Sequence, residues 1–217
     1  MAIVLIVVGI ILSYLIGAFP TSIILGKARK GIDIREYGSG NAGATNTFRV
    51  LGKKSGILVM AVDVFKGYTA TMLPYFFFLF DFSINDNQFA AMQLIFGLSA
   101  VLGHIFPVYA RFKGGKGVAS LLGMVIAFNS SVALICIGIF LIVLIISKYV
   151  SLGSMLASLA FPILLTMPKI NPHDPTPLQI GFGIFIFLLV VYTHKKNVKR
   201  LLKGEESKSY LFKKKTA

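Results

Sequence analysis

Long apolar runs alternate with short polar or basic segments along the whole chain. A helix needs about 20 predominantly apolar residues to cross the hydrocarbon layer of a membrane. Five runs predict such spans: Ala2 to Gly26, Ser55 to Phe80, Gln88 to Tyr109, Val150 to Met167 and Leu178 to Thr193. The first run has neither the positive start nor the small-residue cleavage pattern of a signal peptide, so we expect it to be retained. The pattern predicts an all-α, polytopic integral membrane protein.

The apolar segment Val118 to Ser147 has two interpretations. As one helix it would be roughly 45 Å long, which allows a single tilted span. A break near Asn129 to Ser131 would instead give two shorter helices that form a hairpin. The first arm, Val118 to Phe128, would reach only about 17 Å, which is short for a span.

The distribution of basic residues decides between these interpretations. Lys and Arg are enriched in the cytoplasmic loops of membrane proteins. They are concentrated in 27–54, in 109–117 and in the tail from Lys195, whereas 81–87 and 168–177 contain few. With the N-terminus outside, only the hairpin places all three basic segments on the same side. We therefore predict seven transmembrane helices, with the N-terminus outside and the C-terminus in the cytoplasm.

Composition supports this class of protein and excludes two others. Apolar residues make up 56% of the 217 residues and charged residues only 14%, yet the net charge is +14. This apolar content excludes a disordered basic protein, and a soluble fold could not bury it. The length predicts one domain, residues 1–206, followed by a basic cytoplasmic tail, 207–217. The single Cys136 excludes an internal disulfide.

The first predicted cytoplasmic segment contains a glycine-rich stretch suited to an anion. It runs from Gly38 to Arg49 and reads Gly-Ser-Gly-Asn-Ala-Gly-Ala-Thr-Asn-Thr-Phe-Arg. We interpret it as a turn-rich loop whose N–H groups form an anion-binding nest. Arg49 adds a planar charged fork for phosphate. On this segment alone, a flexible loop with an incidental arginine is an equal alternative.

The second segment leads from His104 into an apolar helix. Its residues Lys113 to Gly117 read Lys-Gly-Gly-Lys-Gly and precede Val118, and the N-terminus of a helix binds phosphate readily. This is not a Walker A loop, because Ala110 stands where that loop has Gly. The lysines could mark topology alone, but that explanation does not account for three glycines. We favour a function for His104, because ionisable groups at such depth usually face a cavity.

Two further polar features lie in or near the predicted spans. Asp63 and Lys66 share a helix face at i and i+3, so we interpret them as a structural ion pair. The tail predicts a basic helix with His194 and Asn197 on one face. Its alternative interpretation is a basic cluster bound to anionic lipid. The cytoplasmic side has too few Cys, His and carboxylate residues for a metal site.

These segments together resemble a known family. Three of them are similar, in order and in position, to the three cytoplasmic motifs of the bacterial acyl-phosphate-dependent glycerol-3-phosphate acyltransferases, the PlsY family. They are Ser39 to Arg49, Gly103 to Gly117 and His194 to Glu205. Asp63 to Gly67 and Val150 to Ser154 also resemble that family. The resemblance implies a seven-helix, multi-pass enzyme of the bacterial cytoplasmic (inner) membrane, with its active site on the cytoplasmic face.

The resemblance also implies a reaction. A fatty acyl group would move from acyl phosphate to the sn-1 hydroxyl of glycerol 3-phosphate, giving lysophosphatidic acid and phosphate, the first acylation of phospholipid synthesis. No cofactor is implied, and the partners would be the two substrates and membrane lipid, with no nucleic acid. The alternative function is an organic-phosphate transporter. Against it, carriers usually place their site near the membrane midplane, where this sequence has few charges.

Each candidate residue then has an expected role. Ser39, His104 and Asn197 are the catalytic candidates. We expect His104 to act as general base or to orient the nucleophile, with a substrate phosphate oxygen as the alternative proton acceptor. Ser39 and Asn197 would stabilise the oxyanion. A covalent acyl-Ser39 intermediate is the rival mechanism, disfavoured because no base neighbours Ser39 in sequence.

The other candidates would bind the two phosphate groups. Arg49, Lys116 and His194 are expected to bind the phosphate of glycerol 3-phosphate, and the loops 39–41 and 113–117 to bind the acyl phosphate. The full set of substrate-binding candidates is Gly40, Asn41, Gly43, Asn46, Arg49, Lys113, Gly114, Gly115, Lys116, Gly117, Ser151 and His194.

Overall fold

The structure is a computed structural model that describes residues 2–80, 84–171 and 175–209. Among these residues the α-helices are α1 Ala2–Ala18, α2 Thr21–Lys30, α3 Ala44–Val50, α4 Lys53–Met72, α5 Asp86–Ile105, α6 Val118–Phe128, α7 Ser130–Ser147, α8 Val150–Leu165, α9 Pro177–Thr193 and α10 Lys195–Leu202. Short 3₁₀ helices cover Ile34–Glu36, Leu73–Phe80 and Val108–Ala110. Parts of the predicted outer segments 81–87 and 168–177, and the tail from residue 210, lie outside the described residues.

The chain divides into two compact units, residues 1–130 and 131–217. In the first unit, α4 packs against α6 and α1 packs against α5. Both crossings are so close that a Cβ on Gly67 would overlap the carbonyl oxygen of Ser120, and one on Gly17 that of Ala100. Small residues permit such close backbone approach between membrane helices.

The second unit contains α7 to α10. Helices α8 and α9 pack against each other, and a Cβ on Gly183 of α9 would lie 2.9 Å from the Cβ of Pro162 in α8. The chain bends by 64° between α9 and α10. The bend separates the apolar helix α9 from the basic helix α10, so the predicted basic helix of the tail is present.

The helices have the length and polarity of membrane spans. Within the described ranges, four segments are long and apolar enough to cross a membrane: Ile3–Lys30, Lys53–Phe76, Asp86–Ala110 and Ser130–Ser147. A fifth is added if the bent pair α9 and α10 counts as one span, and α6 and α8 are apolar but shorter. Apolar side chains face outward on these helices, as Ile146 does with 77% of its surface exposed. The all-helical membrane class is confirmed, whereas seven spans and their orientation stay predictions.

Proline interrupts the first predicted span. The sequence predicted one run from Ala2 to Gly26, but α1 ends at Ala18 and α2 begins at Thr21. Pro20 has no N–H to donate and disfavours helical geometry at the preceding residue. The N–H groups of Ile23 and Ile24 both donate to the Pro20 carbonyl oxygen, at 3.1 Å. Helix therefore restarts after the proline and continues to Lys30.

The predicted break between Val118 and Ser147 is present. Helix α6 ends at Phe128 and α7 begins at Ser130. Between them, Asn129 has extended backbone (φ −154°), and its N–H donates to the Val125 carbonyl oxygen at 2.8 Å. Two helices therefore replace the single long helix, and the hairpin stays a prediction.

Candidate functional site

A small cleft that is open to solvent lies in the first unit. Its lining includes residues 18–21 at the break between α1 and α2, Asp63 and Lys66 of α4, His104 of α5 and the pair Gly114–Gly115. The proline break and the second predicted motif therefore meet at one place. Ala42, between the candidates Asn41 and Gly43, also lines this cleft.

Three ionisable side chains are buried beside the cleft. Asp63 Oδ1 lies 2.8 Å from Lys66 Nζ and 3.6 Å from His104 Nδ1. Lys66 Nζ also donates to the Phe19 carbonyl oxygen, at 3.2 Å, and the Thr21 hydroxyl lies 3.4 Å from Asp63 Oδ1. The ion pair expected from the sequence thus exists, and it also joins α4 to the proline break and to His104.

The contact with Asp63 favours one tautomer of the His104 imidazole. A carboxylate beside Nδ1 favours the tautomer with its proton on that nitrogen, which leaves Nε2 as the acceptor. Nε2 lies so close to Gly115 that a Cβ there would overlap it. Glycine therefore lets the backbone of the second motif pass over the imidazole. An Nε2 that can accept a proton or hydrogen bond is compatible with both roles expected of His104, that of general base and that of orienting the nucleophile.

The glycine segment Lys113–Gly117 is paired with the end of α5. The Gly114 N–H donates to the Ile105 carbonyl oxygen at 3.2 Å, and the Gly115 N–H donates to that of His104 at 3.1 Å. Gly117, at φ 82°, then forms the N-cap of α6. The left-handed region favours glycine at this position. The expected phosphate-binding segment therefore leads directly into a helix N-terminus.

Asn46 organises the glycine-rich stretch from inside. Only 1% of its surface is exposed. Its Oδ1 accepts the Ser39 N–H at 2.8 Å, and its Nδ2 donates to the carbonyl oxygens of Ile34 and Tyr37, both at 3.0 Å. The carboxamide therefore holds the Ser39 turn in place, and the substrate contact expected of Asn46 stays a prediction.

The glycine-rich stretch is a loop only as far as Gly43. Gly38 and Gly40 adopt φ 62° and 72° in its turns, but α3 begins at Ala44 and carries Arg49. The expectation of a loop up to Arg49 is therefore wrong. Residues 44–50 contain no glycine, and the Thr47 hydroxyl donates within the first turn to the Gly43 carbonyl oxygen. Ser39 and Arg49 are both exposed.

In the second unit, three candidate or basic side chains surround Glu206. The Ser151 hydroxyl and the Asn197 Nδ2 donate to its Oε1, at 2.9 and 2.6 Å, and the Arg200 Nε donates to its Oε2 at 2.7 Å. Burial opposes the charge, but these three hydrogen bonds outweigh it and hold the pKa of Glu206 below its usual range. Glu206 therefore fixes the positions of both Ser151 and Asn197.

Sequence reasoning gave Glu206 no role. The available signal was Gly204, since glycine after a basic helix predicts a helix stop. Gly204 adopts φ 71°, and the Glu205 N–H donates to the Arg200 carbonyl oxygen at 2.8 Å. This turn reverses the chain after α10 and brings Glu206 back against the helix that it follows.

His194 lies at the end of α9. It is buried, and its Nδ1 is 2.8 Å from the Val190 carbonyl oxygen. A carbonyl oxygen only accepts, so Nδ1 carries a proton. Ser151, His194 and Asn197 belong to the second unit, and the other candidates belong to the first. Among the described residues, no three His, Cys, Asp or Glu side chains cluster closely enough to hold a metal ion.

Comparison with known proteins decides the family. A family model described as glycerol-3-phosphate acyltransferase matches residues 7–204. The chain belongs to the glycerol-3-phosphate acyltransferase family. It is 44% identical over 218 residues to the glycerol-3-phosphate acyltransferase of Chlorobaculum tepidum, covering 92% of this chain and 94% of the relative. It is 42% identical over 219 residues to the glycerol-3-phosphate acyltransferase of Chlorobium phaeobacteroides, covering 91% of this chain and 93% of the relative.

Solved structures agree with this assignment. The glycerol 3-phosphate form of PlsY (YgiH), an integral membrane glycerol 3-phosphate acyltransferase, is 36% identical and superposes with a TM-score of 0.81, covering 94% of this chain and 96% of that one. Its lysophosphatidic acid form is 35% identical to this chain and superposes with a TM-score of 0.79, covering 94% of this chain and 95% of that one. Membership of the PlsY family and the enzyme class are confirmed, and the transporter alternative has no support from these relatives.

Proposed function

We propose that this enzyme transfers a fatty acyl group from acyl phosphate to the sn-1 hydroxyl of glycerol 3-phosphate, releasing lysophosphatidic acid and phosphate. The family match over residues 7–204 is the observation that carries the proposal. The two similar crystal structures are the glycerol 3-phosphate form and the lysophosphatidic acid form of PlsY (YgiH). Those two molecules are the acceptor and the product of the proposed reaction.

The enzyme acts at the cytoplasmic face of the bacterial inner membrane, in a seven-span topology. The basic segments that contain the candidate loops support this orientation, since Lys and Arg favour the cytoplasmic side. The acyl chain stays in the lipid while glycerol 3-phosphate arrives from water. A site at this boundary brings the two substrates together, which supplies much of the rate enhancement.

The chemistry is a direct acyl transfer. The sn-1 hydroxyl oxygen attacks the acyl carbonyl carbon, a new ester bond forms, and the bond between that carbon and the phosphate oxygen breaks. The hydroxyl proton goes to His104 Nε2 or to a phosphate oxygen. The Nδ1 contact with Asp63 supports His104, since it favours an Nε2 that can accept a proton. Ser39 and Asn197 stabilise the oxyanion of the tetrahedral intermediate.

Backbone and basic groups bind the phosphates. The segment Lys113–Gly117 and the turn 39–41 bind the acyl phosphate, whereas Arg49, Lys116 and His194 bind the phosphate of glycerol 3-phosphate. Two left-handed glycines support this assignment: Gly40 lies in the turn 39–41, and Gly117 leads the second segment into the N-terminus of α6. The unpaired N–H groups of a helix N-terminus attract an anion.

Phosphate release by the purified protein tests the proposal. The protein in detergent is given palmitoyl phosphate, with glycerol 3-phosphate added or withheld. We expect phosphate release and lysophosphatidic acid formation that require both substrates. Folded protein that forms no lysophosphatidic acid under these conditions would contradict the proposal. Phosphate release without the acceptor, with an acyl group left on the protein, would favour the acyl-Ser39 mechanism.

A further inference from the structure

Helix α10 and its C-cap carry a row of exposed lysines along one face. Successive residues of an α-helix are about 100° apart around its axis, so the four lysines of this helix fall within an arc of about 100°. They are Lys195, Lys196, Lys199 and the C-cap Lys203, and all four are exposed. The opposite face carries Asn197, which is buried and donates to Glu206 Oε1 at 2.6 Å. This lysine arc therefore points away from the side on which α10 contacts the protein.

Among the described residues, the lysine arc has no counter-ion. The neighbouring Arg200 is paired with Glu206, with its Nε 2.7 Å from Oε2, whereas none of the four lysines forms an ion pair with a described carboxylate. Like charges one turn apart, such as Lys195 and Lys199, repel each other. An anionic surface outside the protein would supply the missing negative charge.

The bend before α10 favours a position at the level of the lipid headgroups. With α9 crossing the bilayer, the bend of 64° between the two helices directs α10 along the membrane surface. Tyr192, in the last turn of α9, is 61% exposed, and Lys195 Nζ lies 4.7 Å from the centre of its ring. Tyrosine is enriched where the membrane meets water, so α10 begins at this boundary.

An exposed leucine borders the lysine arc. Leu202 is 84% exposed, and around the helix axis it lies beside Lys195. A basic face next to apolar side chains is typical of a helix that lies in the membrane interface, with the apolar groups at the boundary of headgroups and acyl chains. A lipid surface would cover this leucine, whereas a soluble anion would leave it in water.

We infer that the lysine arc of α10 is a binding site for anionic phospholipids of the surrounding leaflet. The ammonium groups contact the headgroup phosphates, and Leu202 enters the boundary of the acyl chains beside them. Because the opposite face of α10 carries Asn197, lipid binding also stabilises the position of the helix that carries this catalytic candidate. The binding requires no turnover, so it is measured separately from the proposed reaction.

A single fluorophore beside the lysine arc tests the inference. The sequence contains no tryptophan, so Leu202→Trp introduces the only one. The protein is placed in nanodiscs of phosphatidylcholine with a minor fraction of phosphatidylglycerol, and bromine, which quenches tryptophan, is carried either by the phosphatidylglycerol or by an equal mole fraction of the phosphatidylcholine. We expect brominated phosphatidylglycerol to quench at least about twofold more strongly, because lysines near the surface attract anionic lipid. Added salt should reduce this preference by screening.

Two triple variants in the Leu202→Trp background assign the preference to α10. Exchange of three arc lysines for glutamine should make quenching by the two lipids nearly equal; these are Lys196→Gln, Lys199→Gln and Lys203→Gln. The matched control removes the same charge from exposed lysines outside α10 and should keep the preference; its exchanges are Lys27→Gln, Lys53→Gln and Lys54→Gln.

Four results would overturn the inference. They are equal quenching by the two lipids in the Leu202→Trp protein, a preference that survives the three α10 exchanges, an equal loss of preference in both triple variants, and a preference that salt does not change. Loss of the preference on addition of a trace of palmitoyl phosphate would also overturn it, and would assign the lysine arc to the acyl donor.

Thermal unfolding in detergent establishes that each variant is folded. If the α10 triple variant does not fold, Lys199→Gln, near the middle of the lysine arc, replaces it. A partial loss of the preference is then expected, and an unchanged preference in that variant overturns the inference.

Discussion

At the residue scale, buried polar groups define the site by holding other groups in place. Asn46 and Glu206 are 1% and 8% exposed, and each has three side-chain hydrogen bonds. A buried polar group without partners costs about 1–3 kcal/mol, so such networks strongly favour one arrangement. Asn46 therefore determines the turn at Ser39, and Glu206 determines the orientation of Asn197.

His104→Ala tests the proton acceptor. If His104 Nε2 accepts the hydroxyl proton, the variant should lose roughly 100-fold in kcat, with little change in the KM of either substrate. The measurement is steady-state turnover with both substrates, next to thermal unfolding to verify the fold. Retention of most of kcat would exclude His104 as the essential base and assign the proton to a substrate phosphate oxygen.

Glu206→Gln tests the hydrogen-bonded carboxylate through pH. Its folded-state pKa is lowered by Asn197, Arg200 and Ser151 despite burial. Because its pKa is lower in the folded state, ionised Glu206 stabilises the fold at pH values above the unfolded-state pKa of about 4.3. This stabilisation is lost as the pH falls through the folded-state pKa. We expect Glu206→Gln to lose roughly 1–3 kcal/mol of unfolding free energy at neutral pH. The difference in unfolding free energy between this variant and wild type should decrease below about pH 4.

Thermal unfolding in detergent across this pH range measures the effect. Glu205→Gln is the matched control, because its side chain is exposed and next in sequence. If Glu206→Gln differs in stability from wild type by the same amount at neutral and at acidic pH, the charge on Glu206 does not stabilise the fold.

At the element scale, backbone chemistry and close helix contacts determine where the site lies. Helix α1 ends before Pro20, and at this break the Phe19 carbonyl oxygen accepts from both Lys66 and the Thr21 N–H. The break therefore forms one wall of the cleft. Glycines at the α4–α6 and α1–α5 crossings bring the backbones into contact. These crossings hold Asp63 and Lys66 of α4 and His104 of α5 at their observed separations.

Gly67→Ala tests the α4–α6 crossing. Its new methyl group would overlap the Ser120 carbonyl oxygen, so the helices must separate, at a cost of about 1–3 kcal/mol. Thermal unfolding in detergent should show a lower midpoint. Gly138→Ala in α7 is the control, because open space surrounds that position and alanine favours helix by about 1 kcal/mol over glycine. Equal midpoints for both variants would contradict the packing argument.

At the scale of the whole molecule, charge and hydropathy predict the topology. The sequence has a net charge of +14, concentrated in segments that the seven-span arrangement places in the cytoplasm. Six spans would move the basic tail to the outside. The two arrangements therefore differ in the side on which the C-terminal residues lie.

Labelling with a membrane-impermeant thiol reagent tests this topology. In a Cys136→Ser background, Lys30→Cys and Ser207→Cys should react only in inverted vesicles, and Asn87→Cys only in intact spheroplasts. All three positions are exposed. Reaction of Ser207→Cys from the same side as Asn87→Cys would contradict seven spans. Reaction of Lys30→Cys and Asn87→Cys from one side would contradict the second span.

The sequence alone determined the membrane class, the break near Asn129, the three candidate motifs and the family. These features are encoded by neighbouring residues, through hydropathy, glycine content and local charge. The tertiary structure alone decided the partners of single side chains. Arg35 binds Ala110 across 75 positions, and Ser151 binds Glu206 across 55. Such contacts form only after helix packing brings distant loops together, so local patterns carry no signal for them.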